Sequence, residues 1–260
     1  MEIYQGIILG ILQGLTEFLP VSSSGHLVLG QIYFNITEGN LAFDVAVHMG
    51  TLAAVLVVYF SDIQAIVTSF FRFLTASNKK TLNQTDENLK LTWCILAGSV
   101  PTALIGFGLK EFEHILFTSS VLVGVMLMVT GTLLWISKKY DRNNAASVKP
   151  LTLKRSLFIG VVQGLAVIPG ISRSGSTIVA GMFVGLDRTL AARFSFLLSI
   201  PAICGALLIS VKDVLAKGGL IEPAVICGTL VSFIVGLAAL KLLLKLVHTG
   251  KFYLFAPYCW

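Results

Sequence analysis

Five long apolar runs divide the chain: Leu41–Phe60, Leu91–Leu109, Val121–Ile136, Leu190–Val211 and Ile221–Val247. About 20 apolar residues in a helix cross the hydrocarbon core of a bilayer, so each run predicts a spanning helix. A sixth stretch, Ile63–Leu74, is shorter and carries Arg72; it predicts an interfacial helix or a sixth crossing. Two further segments are interrupted. Ile3–Leu19 meets Pro20 and Ser22-Ser23-Ser24-Gly25 before Leu27–Tyr33, and Leu157–Ile168 meets Pro169-Gly170 before Ser176–Val184. Each reads as helix, break, helix. Irregular backbone at membrane depth is tolerated only where protein or a water-filled cavity surrounds it, so both predict re-entrant hairpins with breaks near the middle of the protein.

The two interruptions are copies. At an offset of 150, Gly10, Gln13, Gly14, Leu15, Ser22, Ser24 and Gly25 each meet an identical residue, where about one match would arise by chance, so the chain contains an internal repeat. Loop charges give its sense. Ser77–Lys90, with Lys79 and Lys80, and the linker from Ser137 to Arg155, with Lys138, Lys139, Arg142, Lys149, Lys154 and Arg155, belong on the cytoplasmic side. The loop with Lys110, Glu111, Glu113 and His114 then faces outward, and the two hairpins enter from opposite sides. The expected fold is an all-α integral membrane protein: an inverted-topology repeat with two re-entrant helical hairpins and five to six transmembrane helices. It forms one polytopic domain over residues 1–260, with repeat 1 over about 1–136, a basic linker over 137–155 and repeat 2 over about 156–260.

Composition agrees. Hydrophobic residues make up 55% of the 260 and charged ones 12%, about half the charged share of a soluble domain. The start, Met1-Glu2-Ile3-Tyr4-Gln5, lacks a basic stretch, so no cleaved signal peptide is expected. The net charge of +6 reads as positive-inside bias; no basic stripe with interleaved aromatics points to nucleic acid. Cys94, Cys204, Cys227 and Cys259 form no CxxC pair, so neither a zinc site nor a disulfide framework is expected.

Ionisable groups inside a membrane are costly and mark sites. The half-helix that starts after each break presents unpaired N–H groups and the positive end of its dipole. Ser22, Ser23, Ser24 and Gly25 surround one start; Ser172, Ser174, Gly175 and Thr177 surround the other. Two such starts facing each other make an anion cradle suited to phosphate, and Arg173 adds a forked cation. The copies differ where chemistry is carried: Glu17 stands against Val167, Ser23 against Arg173 and His26 against Ser176. Ser23 and His26 share a helical face, as do Gln13 and Glu17, which places an amide and a carboxylate together as candidate ligands for a metal ion. Glu17 has two other uses, as a helix cap or as the partner of Arg173. Asp44 and His48 form another pair four residues apart, read equally as interfacial. Arg193 is a candidate for a supporting role, while Asp187 and Arg188 flank a membrane edge, and His114 and His248 read as loop or interface residues.

The motifs QGLTEFLPVSSSGH and PGISRSGST resemble the undecaprenyl-diphosphate phosphatase family, also called bacitracin-resistance proteins, across the whole length, motif order and hydropathy of the chain. The resemblance implies hydrolysis of undecaprenyl diphosphate to undecaprenyl phosphate and phosphate, which recycles a lipid carrier for cell-wall synthesis. It also implies a divalent cation (Mg or Ca) and an outward-facing site in the bacterial plasma membrane. On this sequence the family's acidic motif falls on Gln13 and Glu17, its serine and histidine on Ser23 and His26, and its phosphate-binding motif on Ser172, Arg173 and Thr177. The departure is Gln13, where some relatives carry a second glutamate, leaving one carboxylate fewer for the cation. The residues leave open whether His26 attacks phosphorus directly or deprotonates Ser23 or a water. The expected partners are a polyprenyl diphosphate and membrane lipid, with a homodimer left open. A second reading is a lipid-phosphate flippase or transporter, because inverted re-entrant repeats are a transporter design. A third, the type-2 phosphatidic acid phosphatase class suggested by Ser24-Gly25-His26, expects a histidine where this chain has Val179 and is set aside.

Overall fold

In a computed structural model, residues 1–36, 41–112, 116, 119–140, 148–216 and 222–260 are described. All regular structure among them is helical. The first hairpin is α1 (Ile3–Phe18) and α2 (Ser23–Tyr33). Then come α3 (Leu41–Val58), α4 (Phe60–Thr75), α5 (Lys79–Thr85), α6 (Glu87–Lys110) and α7 (Ser120–Ser137). The second hairpin is α8 (Leu153–Leu165) and α9 (Arg173–Phe183), followed by α10 (Arg188–Ala216), α11 (Pro223–His248) and a terminal turn, α12 (Ala256–Cys259).

Four helices, α6, α7, α10 and α11, are long and apolar enough to cross a membrane, and α3 with α4 makes a fifth candidate bent by 76°. The chain is thus a multi-pass membrane protein. The 16 residues of α1 and the 13 of α8 reach only about 24 and 20 Å at the helical rise, short of a roughly 30 Å core. They end inside the protein, as their broken patterns predict. The polar stretch Ser77–Lys90, treated as a loop by its charge, holds α5 and the first turn of α6 instead. Asn78 caps α5 by accepting the Thr81 N–H at 3.1 Å, and Asp86 caps α6 through the N–H groups of Asn88 and Leu89. The stretch Ile63–Leu74 lies within α4. Glu113, His114 and Arg142 lie outside the described residues.

Packing pairs each hairpin with a helix of the other half. α1 runs along α11, and α8 runs along α6. Both contacts depend on aligned glycines. A Cβ on Gly10 would sit 2.5 Å from the carbonyl oxygen of Gly228, and one on Gly160 would overlap the carbonyl oxygen of Gly98. Small residues let membrane helices approach backbone to backbone, where dispersion and close packing supply the attraction that water supplies elsewhere. Thr102 fastens the second seam by donating to the Gly160 carbonyl at 2.9 Å; Ser156 donates to the Cys94 carbonyl.

The core lies around the two breaks. Phe18 and Val21 from the first hairpin meet Ile178 and Val179 from the second, with Ala54 and Val55 of α3 and Phe194, Phe196, Leu197 and Leu198 of α10. Phe18 meets Phe196 edge-on at 5.9 Å. Polar groups next to this core are shielded from lipid.

Candidate active site

Each half-helix start is built the same way. Ser22 caps α2 by accepting the Gly25 N–H at 3.4 Å, and Ser172 caps α9 by accepting the Gly175 N–H at 3.1 Å. Ser22 Oγ lies 3.4 Å from Ser24 Oγ, and Ser172 Oγ lies 3.3 Å from Ser174 Oγ. The breaks also hold each other. Ser22 Oγ accepts the Gly170 N–H at 3.1 Å, and Ser174 Oγ donates to the Phe18 carbonyl at 3.0 Å. Gly25 packs against Gly170, and Gly175 against Pro20. Thr130 of α7 clamps the second break, donating to the Gly170 carbonyl at 2.8 Å and accepting the Ser172 N–H at 3.0 Å.

Between the starts sits Glu17, 7% exposed and contacted by both halves. Its Oε2 accepts from Gln13 Nε2 at 2.9 Å and from Ser23 Oγ at 2.6 Å; its Oε1 accepts from Arg173 Nη2 at 2.5 Å. His48 Nε2 lies 3.8 Å from the same Oε2. A carboxylate at this depth is tolerable because it is paired and hydrogen-bonded. Of its open uses, the one this geometry displays is the pairing with Arg173.

His26 belongs to a separate network. Its Nδ1 lies 2.8 Å from the Ser22 carbonyl oxygen, which can only accept, so Nδ1 carries a proton and a neutral ring keeps its lone pair on Nε2. Nε2 lies 2.9 Å from the Tyr258 hydroxyl. Ser23 and His26, on one helical face, therefore engage different partners. The proton of Ser23 points to Glu17 and the lone pair of His26 to Tyr258.

The predicted phosphate ligands divide in two. Ser172, Ser174 and Thr177 spend their hydroxyls inside the protein: Ser172 on its cap, Ser174 on Phe18, and Thr177 on the Arg173 carbonyl at 2.7 Å and on Ser195. Ser24 keeps a long contact to Ser22. Among the described residues four buried polar atoms have no protein partner: Arg173 Nη1, Ser176 Oγ, Gln13 Oε1 and Gln163 Oε1. An unpaired buried polar group is costly, so the three that belong to Glu17's partners and to the first turn of α9, on Gln13, Arg173 and Ser176, are what the protein leaves for a ligand. Sequence reasoning left Ser176 and Tyr258 out of the site and His48 undecided between site and interface. Ser176 aligns with His26, and His48 stands four residues from Asp44, which were usable signals. His48 and Tyr258 reach the site only through the packing of α3 and α12. Asp44 lies one step further out, accepting from Gln31 Nε2 at 2.7 Å. Arg193 stands apart from the site, donating through Nε to Asp62 at 2.7 Å at the bend between α3 and α4.

Among the described residues no three His, Cys, Asp or Glu side chains gather as a metal cage. The oxygens that remain for a cation are Gln13 Oε1 and the second lone pair of Glu17 Oε1. Two hard oxygen donors suit Mg²⁺, which is commonly held by one or two protein oxygens together with water and substrate phosphate.

A profile of the family described as bacitracin resistance protein BacA matches residues 6–260. Among curated relatives, an undecaprenyl-diphosphatase of Desulforapulum autotrophicum is 54% identical over 264 residues, covering 100% of this chain and 95% of the relative. One of Desulfosudis oleivorans is 54% identical with the same coverage, and one of Desulfatibacillum aliphaticivorans is 48% identical over 98% of this chain and 94% of the relative. With its motifs, fold and whole length accounted for in this way, the chain belongs to the bacitracin-resistance protein family.

Proposed function

We propose that this chain hydrolyses undecaprenyl diphosphate to undecaprenyl phosphate and inorganic phosphate, regenerating the lipid carrier of cell-wall synthesis and so conferring bacitracin resistance. The observation that carries the reading is the Glu17–Arg173 contact, which with the Ser23–Glu17 hydrogen bond joins the two half-helix starts and leaves Arg173 Nη1 buried without a partner among the described residues. A guanidinium already oriented by a carboxylate, with a free N–H beside helix N-termini, is a preorganised receptor for the charge that builds on phosphoryl oxygens.

The terminal phosphate enters between the starts of α2 and α9, meeting the unpaired N–H groups of their first turns and Arg173. Gln13 and Glu17 would hold a divalent cation, which when bound supplies further charge neutralisation on the diphosphate. Glu17 orients Ser23 as well as Arg173. His26 delivers the lone pair of Nε2 to the in-line step, either on phosphorus or on the water that attacks it. The bond from the terminal phosphorus to the bridging oxygen breaks, and undecaprenyl phosphate leaves with that oxygen; where His26 has attacked phosphorus, a water then cleaves the N–P bond and releases inorganic phosphate. The prenyl tail stays in lipid and needs no pocket. Loop charges support a site reached from outside the bacterial plasma membrane, with the first hairpin entering from that side.

The test is phosphate release from long-chain prenyl diphosphates by the purified protein, with chelator added and then reversed by Mg²⁺ or Ca²⁺. Release that stops with chelator and returns with metal is expected. Transfer of lipid phosphate across vesicles with no phosphate released would overturn the hydrolase in favour of a flippase. Acid and base quenching of radiolabelled turnover separates the routes at His26, because a phosphoramidate survives base and is lost in acid.

A further inference from the structure

The C-terminal turn reaches into this site from the far end of the sequence. Tyr258 Oη lies 2.9 Å from Nε2 of His26, 232 positions away, and the two rings are near parallel at 8° with centroids 5.7 Å apart. Tyr258 itself is 65% exposed, yet its neighbours are anchors: Ala256 is 0% and Cys259 5% exposed. Cys259 Sγ lies 3.7 Å from the carbonyl oxygen of Pro20, in the break of the first hairpin. Trp260 Nε1 donates to Thr132 Oγ1 at 3.3 Å, and its ring packs on Trp135. Gly131 of α7 has no room for a Cβ, which would sit 2.9 Å from the Ala256 carbonyl oxygen. The segment is seated on α7, and an exposed phenol on a seated turn is held in place by its backbone.

We infer that Tyr258 is a positioning residue for His26. The inference rests on the hydrolase reading above and deepens it. Hydrogen bonds on opposite sides of the imidazole, Nδ1–H to the Ser22 carbonyl and the phenol O–H to Nε2, stop the ring from turning about its outer torsion. A ring rotated by half a turn would present carbon where the lone pair belongs. The phenol occupies the place of the incoming group, keeps the lone pair aimed, and yields when the phosphate or its attacking water arrives. Preorganisation of this kind lowers the barrier without adding to substrate binding.

The experiment compares wild type with Tyr258→Phe, which keeps the ring and removes the donor, at matched melting temperature. Turnover of a long-chain prenyl diphosphate should fall about five- to tenfold, the worth of one modest hydrogen bond, with KM within about twofold. In a second arm that needs no substrate, mass spectrometry follows carbethoxylation of His26 by diethyl pyrocarbonate. Freed from the phenol, Nε2 should react several-fold faster in the variant, with His248 as internal control. Turnover within twofold of wild type, or an unchanged rate of carbethoxylation, overturns the positioning role. Should wild type release no phosphate at all, the hydrolase reading falls, and the second arm alone decides whether Tyr258 governs Nε2.

Discussion

The first hairpin turns at Ser22, whose φ is +69°, and the second turns two positions earlier in the repeat register, at Gly170, whose φ is +94°. Glycine takes that backbone without strain; a serine there costs of order 1–3 kcal/mol. The hydroxyl of Ser22 offsets the cost by accepting two N–H groups, from Gly25 and Gly170. Its counterpart Ser172 has φ −73° and accepts only the Gly175 N–H. One hairpin thus holds the other across the centre of the protein. Beyond this asymmetry, the positions that are identical in both copies (Gly10 and Gly160, Ser22 and Ser172, Gly25 and Gly175) build the frame. The positions that differ (Glu17 and Val167, Ser23 and Arg173) supply the charges that meet in it. Repetition made the scaffold, and divergence made the site.

The division can be broken at its unlike positions with the largest effect. Arg173→Ala should lower phosphate release by about 10²–10³-fold, the usual loss on removing a donor to developing oxyanion charge. Arg173→Lys should recover only part of it, because an ammonium cannot grip Glu17 and a phosphate as a fork does. A lysine variant at full activity would reduce Arg173 to a plain counter-charge. At the like positions the readout is stability. Gly10→Ala and Gly160→Ala should each cost about 1–3 kcal/mol through overpacking, seen as a lower melting temperature in detergent, with Gly160 the more sensitive because its approach is closer. The caps come next. Ser172→Ala should cost about 1 kcal/mol. Ser22→Ala should cost more, since the Gly170 N–H also loses its acceptor, and equal losses would remove the asymmetry between the hairpins. The smallest effect belongs to Gln13→Glu. A second carboxylate should reduce the cation concentration needed for half-maximal activity by about threefold, as ligand charge tunes such sites; the same change at Gln163 should leave it unmoved.

Much of this was legible because a membrane makes polar residues conspicuous. Pro20, Pro169-Gly170 and the serine clusters interrupt apolar runs, so the breaks and their capping serines follow from local chemistry. The charge of Arg173 had to be met, and Glu17 meets it. The use of individual hydroxyls was not legible. Ser172, Ser174 and Thr177 belong to a phosphate-like motif, yet they bond to backbone or to Ser195, while Ser176 has no partner among the described residues. A hydroxyl commits to whichever acceptor packing brings within reach, and that depends on where α1 and α10 lie. Tyr258 escaped for the same reason, and the pairing of His48 with Asp44 in sequence did not say that His48 meets Glu17. Each arrives on a helix whose position is set by distant contacts. The apolar pattern does part after Phe60, which set Ile63–Leu74 aside as its own stretch, but with no glycine or proline there the 76° angle between α3 and α4 was not legible.

The crossing of the two halves has a consequence for assembly. α1 is made before α11, and the surface that receives Gly6, Gly10 and Gly14 is on α11. Until α11 is inserted, the glycine stripe lacks its groove, and lipid rewards small residues poorly. The earlier segment must therefore wait, and the later one acts as the key that locks it.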